Sequence, residues 1–122
     1  MLQPLNASRR PLKIENLRSH LSKLAIAGKT VTYRILAQEF SVRIAELTKS
    51  LEALMAEDAA AGRPLLAVVC EGRLLGGMPA RGFFEAAAAL GRDVSDPVRF
   101  VALERAALVT QAGVQPPDLR DS

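Results

Sequence analysis

Four glycines, Gly28, Gly62, Gly91 and Gly113, each follow a stretch in which apolar residues recur at spacings of three and four. Glycine readily takes the left-handed backbone that closes many helices, so this punctuation predicts helical segments ending at each of them. A fifth, shorter helix falls between residues 33 and 40. The first helix spans about Pro11 to Ala27, with Ile14, Leu17, Leu21 and Leu24 on one stripe. Thr32 is placed to cap the short helix, in which Ile35, Leu36 and Phe40 point inward. Ser41 can cap the next helix, which continues to Ala61 and buries Ile44, Leu47, Leu51, Leu54 and Met55. Phe83 to Leu90 forms another helix. Asp96-Pro97, an N-cap followed by Pro at the first position, opens the last one, which runs to about Ala112.

The remaining segments read as short strands. Thr30-Val31-Thr32 favours an extended backbone. Leu65 to Cys70 is a nearly continuous apolar run after Pro64, Glu71-Gly72-Arg73 can turn the chain, and Leu74-Leu75 can return it to make a small β-hairpin. Pro79 then ends the pairing, because it has no N–H to donate. The resulting order, α–β–α–α–β–β, is that of a winged helix-turn-helix. The expected fold is therefore mainly α with a small β-hairpin. Residues 1–10 form a flexible basic arm, 11–80 the winged helix-turn-helix, 81–114 a C-terminal helical extension and 115–122 a tail.

Composition bounds the class of function. The 122 residues suit one domain, and 49% are hydrophobic but only 4% aromatic with no Trp, so the core must be built from Leu, Val, Ile and Ala. No apolar run approaches the roughly 20 residues of a membrane span, and the N-terminus lacks a signal peptide's apolar segment. A single cysteine, Cys70, fits a reducing compartment, so the cytoplasm is expected. The net charge of +3 is unevenly placed. Residues 1–50 carry nine basic against three acidic residues (+6), and the remainder seven against ten (−3). Such a basic half is expected where one face meets a polyanion.

A helix-turn-helix lays its second helix in the major groove while the first crosses the backbone. The outward face of that second helix comprises Val42, Ala45, Glu46, Lys49, Ala53 and Ala56, with Arg43 and Ser50 on its flank. Arg43 and Lys49 can reach guanine or phosphate, and Ser50 can donate to either. Ser41 and the free amides at the helix start can take a phosphate. Arg73, at the tip of the wing, suits a minor groove or a phosphate, with Arg63 and Arg81 flanking it. Thr32, Tyr33 and Arg34 at the start of the preceding helix, and Arg9 and Arg10 in the arm, complete the patch. Outward-facing Glu46, Glu57 and Asp58 work against phosphate.

The segment TVTYRILAQEF resembles the "TYxxLA" opening of the helix-turn-helix in several bacterial winged-helix proteins. Among them are the DNA-binding domains of the alkylguanine-DNA alkyltransferase-like family. The likeness covers about Thr30 to Leu75 and implies the winged-helix shape. It does not extend to repair chemistry, which needs a Pro-Cys-His-Arg run where this chain has Val-Val-Cys-Glu.

No enzymatic constellation accompanies these features. His20, the only histidine, and Cys70 are too few to make a zinc site, and Cys70 ends an apolar strand as a small buried hydrophobe. The glycines near residue 76 lack the Gly-Lys-Ser/Thr of a phosphate-binding loop. No cofactor or metal is expected. The last helix is apolar on more than one side, so Phe100, Val101 and Leu108 are expected to bury a homodimer interface. The expectation is a bacterial DNA-binding protein, a transcriptional regulator or an accessory factor. The alternative is a winged-helix module that docks a protein partner.

Overall fold

Three of the predicted glycine stops are made in the same way. The computed structural model, which describes residues 12–72 and 76–114, is mainly helical: α1 (Ile14–Ala27), β1 (Val31–Thr32), α2 (Tyr33–Glu39), α3 (Ile44–Ala60), β2 (Cys70–Glu71), α4 (Arg81–Ala89) and α5 (Pro97–Val114). At the end of α1, Gly28 has φ of 69°, and the Lys29 N–H returns to the Leu24 carbonyl at 2.9 Å. Arg63 and Arg92 close α3 and α4 on the carbonyls of Asp58 and Ala87 through the same pattern. Gly113 departs from expectation, because α5 continues through it to Val114. Glycine permits a left-handed stop without compelling one.

The end of α2 supplies a second correction. Ser41 has φ of 56°, and the Ser41 and Val42 N–H groups donate to the carbonyls of Gln38 and Ala37. Serine thus fills the closing position that glycine holds elsewhere, and its backbone is committed to ending α2. It does not cap α3, which begins at Ile44 with Arg43 as the extended N-cap residue. Ile44 and Ile35, both expected inside, are 48% and 47% exposed.

The predicted strand over Leu65–Cys70 is also different. Leu66–Val69 forms a 3₁₀ turn, and Cys70–Glu71 pairs in parallel with β1, Val31 opposite Cys70 and Thr32 opposite Glu71. Among the described residues the sheet is this parallel pair rather than a β-hairpin. Leu74-Leu75, the expected return strand, lies outside the described residues. The flanking Gly72 N–H does meet the Met78 carbonyl at 2.6 Å, so the chain doubles back across this segment. A side chain at Gly72 would sit 3.2 Å from the Ala80 backbone, which explains a glycine there.

The core sits where all these elements meet. Leu17 and Leu21 of α1, Leu36 of α2, Leu47 and Leu54 of α3, Phe83 of α4 and Val101 and Leu108 of α5 belong to one buried cluster. The C-terminal helices therefore share the core of the N-terminal ones, α5 packing directly on α1. Every residue from Leu65 to Cys70 is at most 5% exposed. The backbone of this buried run finds charged partners: the Leu65 N–H donates to Glu104 at 2.7 Å, the Leu66 N–H to Asp58 at 3.0 Å, and the Val68 carbonyl accepts from Arg105 Nε at 2.8 Å. Asp58, only 1% exposed, also accepts from Arg18 at 2.8 Å and Arg63 at 3.1 Å. Burial works against the charge of Arg18, but hydrogen bonds from Asp58 and Glu57 and their negative charges hold its pKa above the ordinary value.

Removing Asp58 strips a buried acceptor from the turn, whereas Arg18 and Arg63 can turn to water. Asp58→Ala is expected to cost about 3 kcal/mol in urea unfolding, and Arg63→Ala less than about 1 kcal/mol. Equal losses in the two variants would show that the ion pairs, and not the backbone bond, carry the effect.

Candidate nucleic-acid interface

Helices α2 and α3, joined through residues 40–43, are the pair expected to make a helix-turn-helix, and three contacts fix α2 in place. Thr32 caps it as the sequence suggests, its hydroxyl oxygen accepting the Ile35 N–H at 3.2 Å. Tyr33 accepts the Ala80 N–H on its phenolic oxygen at 3.1 Å, tying the start of α2 to the start of α4. His20 Nε2 lies 2.9 Å from Glu39 Oε1, and its ring meets Phe40 edge-on with centroids 5.5 Å apart, which ties the end of α2 to α1. Thr32 and Tyr33 are thus occupied in holding the fold, while Arg34 between α2's contacts is exposed.

The structure brings several predicted residues to the surface of this pair. Ser41, Arg43 and Lys49 are exposed, and Ser50 is half-buried. Among the described residues, no acidic side chain forms an ion pair with Arg34, Arg43, Lys49 or Arg81. Along α3, Ala45, Lys49, Glu52, Ala53 and Ala56 are exposed on adjoining turns, with Thr48 beside them. Glu52 and Thr48 escaped the sequence reading, although counting helical positions from Lys49 would have found both. Glu46 is less free than expected: half-buried, it accepts the Leu12 N–H at 3.3 Å, so the chain enters the described fold beside the first turn of α3. Glu57 and Asp58 are engaged by Arg18, which removes most of their repulsion towards phosphate.

The segment expected to form the wing contributes less that can be placed. Arg73 lies outside the described residues, as do Arg9 and Arg10. Arg81, the first residue of α4, is exposed, whereas Arg63 is held against Asp58. The residues expected at a dimer interface are placed differently. Val101 and Leu108 are 3% and 7% exposed within the core, and half-buried Phe100 packs near Phe83. Among the described residues, the large apolar side chains that α5 presents outward are Val98, Leu103 and Val109. Helical periodicity marked α5 as apolar on two sides without showing which side faces inward.

Cys70 is fully buried, and burial pushes its thiol up to about 12, so it stays protonated at neutral pH. Among the described residues no group of three His, Cys, Asp or Glu could hold a metal ion, and no helix is long and apolar enough to cross a membrane. Burial likewise raises Tyr33 to about 12, against a weaker opposing effect of the Ala80 hydrogen bond. Because the folded pKa is raised, the stabilisation is complete below the unfolded pKa near 10 and is lost as pH rises through about 12. Tyr33 is the only tyrosine and there is no Trp, so phenolate absorbance reports this site alone. It should titrate near 12 in the native protein and near 10 in denaturant; a native midpoint near 10 would mean that the ring is solvated.

No known protein family, curated protein or solved structure matches this chain, so the reading of its surface rests on its own residues.

Proposed function

We propose that the chain is a winged helix-turn-helix protein that binds duplex DNA, acting as a bacterial transcriptional regulator or accessory DNA-binding factor in the cytoplasm. The observation that carries this reading is the α2–α3 pair with Arg34, Arg43 and Lys49 exposed and clear of acidic partners among the described residues. Small side chains at Ala45, Ala53 and Ala56 let α3 approach a groove closely but offer no base-reading groups. Binding is thus led by phosphate contacts, with Arg73, Arg9 and Arg10 adding cations from segments outside the described residues. Ser41, freed from capping, can donate to a phosphate beside the start of α3.

A second reading follows from the half-exposed Ile35 and Ile44 next to the same small-residue face, together with Glu52. Apolar and mixed-charge surface of this kind suits docking of a protein helix without DNA. On either reading the chain acts as a homodimer, with Leu103 on α5 replacing Val101 and Leu108 as the buried anchor.

Fluorescence anisotropy with generic duplex DNA over a salt series separates the two ligands. Affinity should fall steeply with salt, and Arg43→Ala with Lys49→Ala should lower the log–log slope by about two. No binding at low salt sinks the DNA reading and leaves the docking one. Solution mass tests the dimer: Leu103→Asp should convert a dimer to a monomer, and an unmodified chain that is already monomeric ends that part of the proposal.

A further inference from the structure

A recess of about 190 Å³ opens between the end of α1, the segment entering β1, and α5. Its apolar wall comes from Ala25, Val69 and Val109, and its two cations from Lys29 and Arg105. Thr30 also lines it, but its hydroxyl donates to Glu71 and so has no proton to offer a ligand. Arg105 is held by one bond, from Nε to the Val68 carbonyl. Its Nη2 is buried with no hydrogen-bond partner, the only side-chain nitrogen or oxygen among the described residues in that condition. A guanidinium carries more N–H groups than the one bond to Val68 uses, and its charge with that of Lys29 suits a carboxylate.

We infer that this recess is a binding site for a short aliphatic carboxylate, its charged end on Arg105 and Lys29 and its tail against Ala25, Val69 and Val109. At about 30 Å³ per water-sized group the volume accepts about six non-hydrogen atoms, the size of butyrate. An inorganic oxyanion would satisfy the cations but gain nothing from the apolar wall. Glu71 already lends Arg105 some negative charge, but its carboxylate is committed to the Thr30 hydroxyl. The inference does not depend on the DNA reading, since it concerns a different face and is tested without nucleic acid.

The test is a titration of the full chain with sodium butyrate, followed by the amide resonances of Lys29, Val69 and Ala106. The shifts should saturate. Butyramide and inorganic phosphate, which remove the charge and the tail in turn, should each bind at least about tenfold more weakly. Lys29→Met should weaken butyrate about tenfold and leave the melting temperature without ligand unchanged, since Lys29 is exposed. Val109→Trp, which fills the recess, should abolish saturable shifts. Linear shifts, an equal response to butyramide or phosphate, or undiminished binding in both variants would overturn the assignment.

Discussion

Burying an irregular piece of backbone is the constraint around which this fold is arranged. The run Leu65–Cys70 is apolar enough to be forced inside, yet a 3₁₀ turn cannot satisfy its own polar groups as a sheet would. The missing partners arrive as charges: Asp58 from the end of α3, and Glu104 and Arg105 from neighbouring positions on α5. Each charge is costly to desolvate alone. Asp58 is neutralised by Arg18 and Arg63, and Glu104 by Arg92, whose second nitrogen also reaches the Arg63 carbonyl at 2.7 Å. The turn thereby binds α1, α3 and α5 into one unit, and the last helix is part of the domain rather than an addition to it.

That network also shapes the exterior. Several acids are engaged within the fold: Asp58 and Glu104 by the turn, Glu57 by Arg18, Glu39 by His20 and Glu46 by the Leu12 amide. Among the described residues, Arg34, Arg43 and Lys49 on the α2–α3 pair have no such engagement. Counting charges along a segment overstated the repulsion from Glu57 and Asp58, because it could not see the arginine contributed by α1.

What was legible in the sequence was local. Thr32 and Asp96 act as caps because an N-cap needs only an amide two or three residues ahead, and Asp96 does accept the Arg99 N–H at 3.2 Å. The stripe of Leu17 and Leu21 follows from periodicity alone. The misread parts were settled at a distance. Leu65–Cys70 looked like a strand because an apolar run carries no mark of the charged side chains that complete it, two of them from residues nearly forty positions further on. Val101 and Leu108 were expected outside because a helix apolar on two sides does not disclose which side α1 will cover. At the candidate site, the position of Arg43 and Lys49 was readable from the helix pattern, whereas the engagement of Tyr33 by Ala80 and of Glu46 by Leu12 was not.

The turn between α2 and α3 shows how these levels meet. The only non-glycine residue at positive φ among the described residues is Ser41, in a conformation that costs an L-residue roughly 1 kcal/mol. Gly28, Gly62 and Gly91 avoid that cost at other helix ends, so the turn could be relaxed by the residue the chain already uses elsewhere. Serine keeps what glycine would remove, an exposed hydroxyl at the entry to α3. Because the backbone of Ser41 is spent on closing α2, and Arg43 begins α3 without a side-chain cap, that hydroxyl is not consumed by the helix that follows. A small strain thus leaves a donor and a cation, Ser41 and Arg43, two positions apart where α3 begins. A phosphate contact there would require no rearrangement of the core, because the Schellman-type bonds from Ser41 and Val42 already fix the turn.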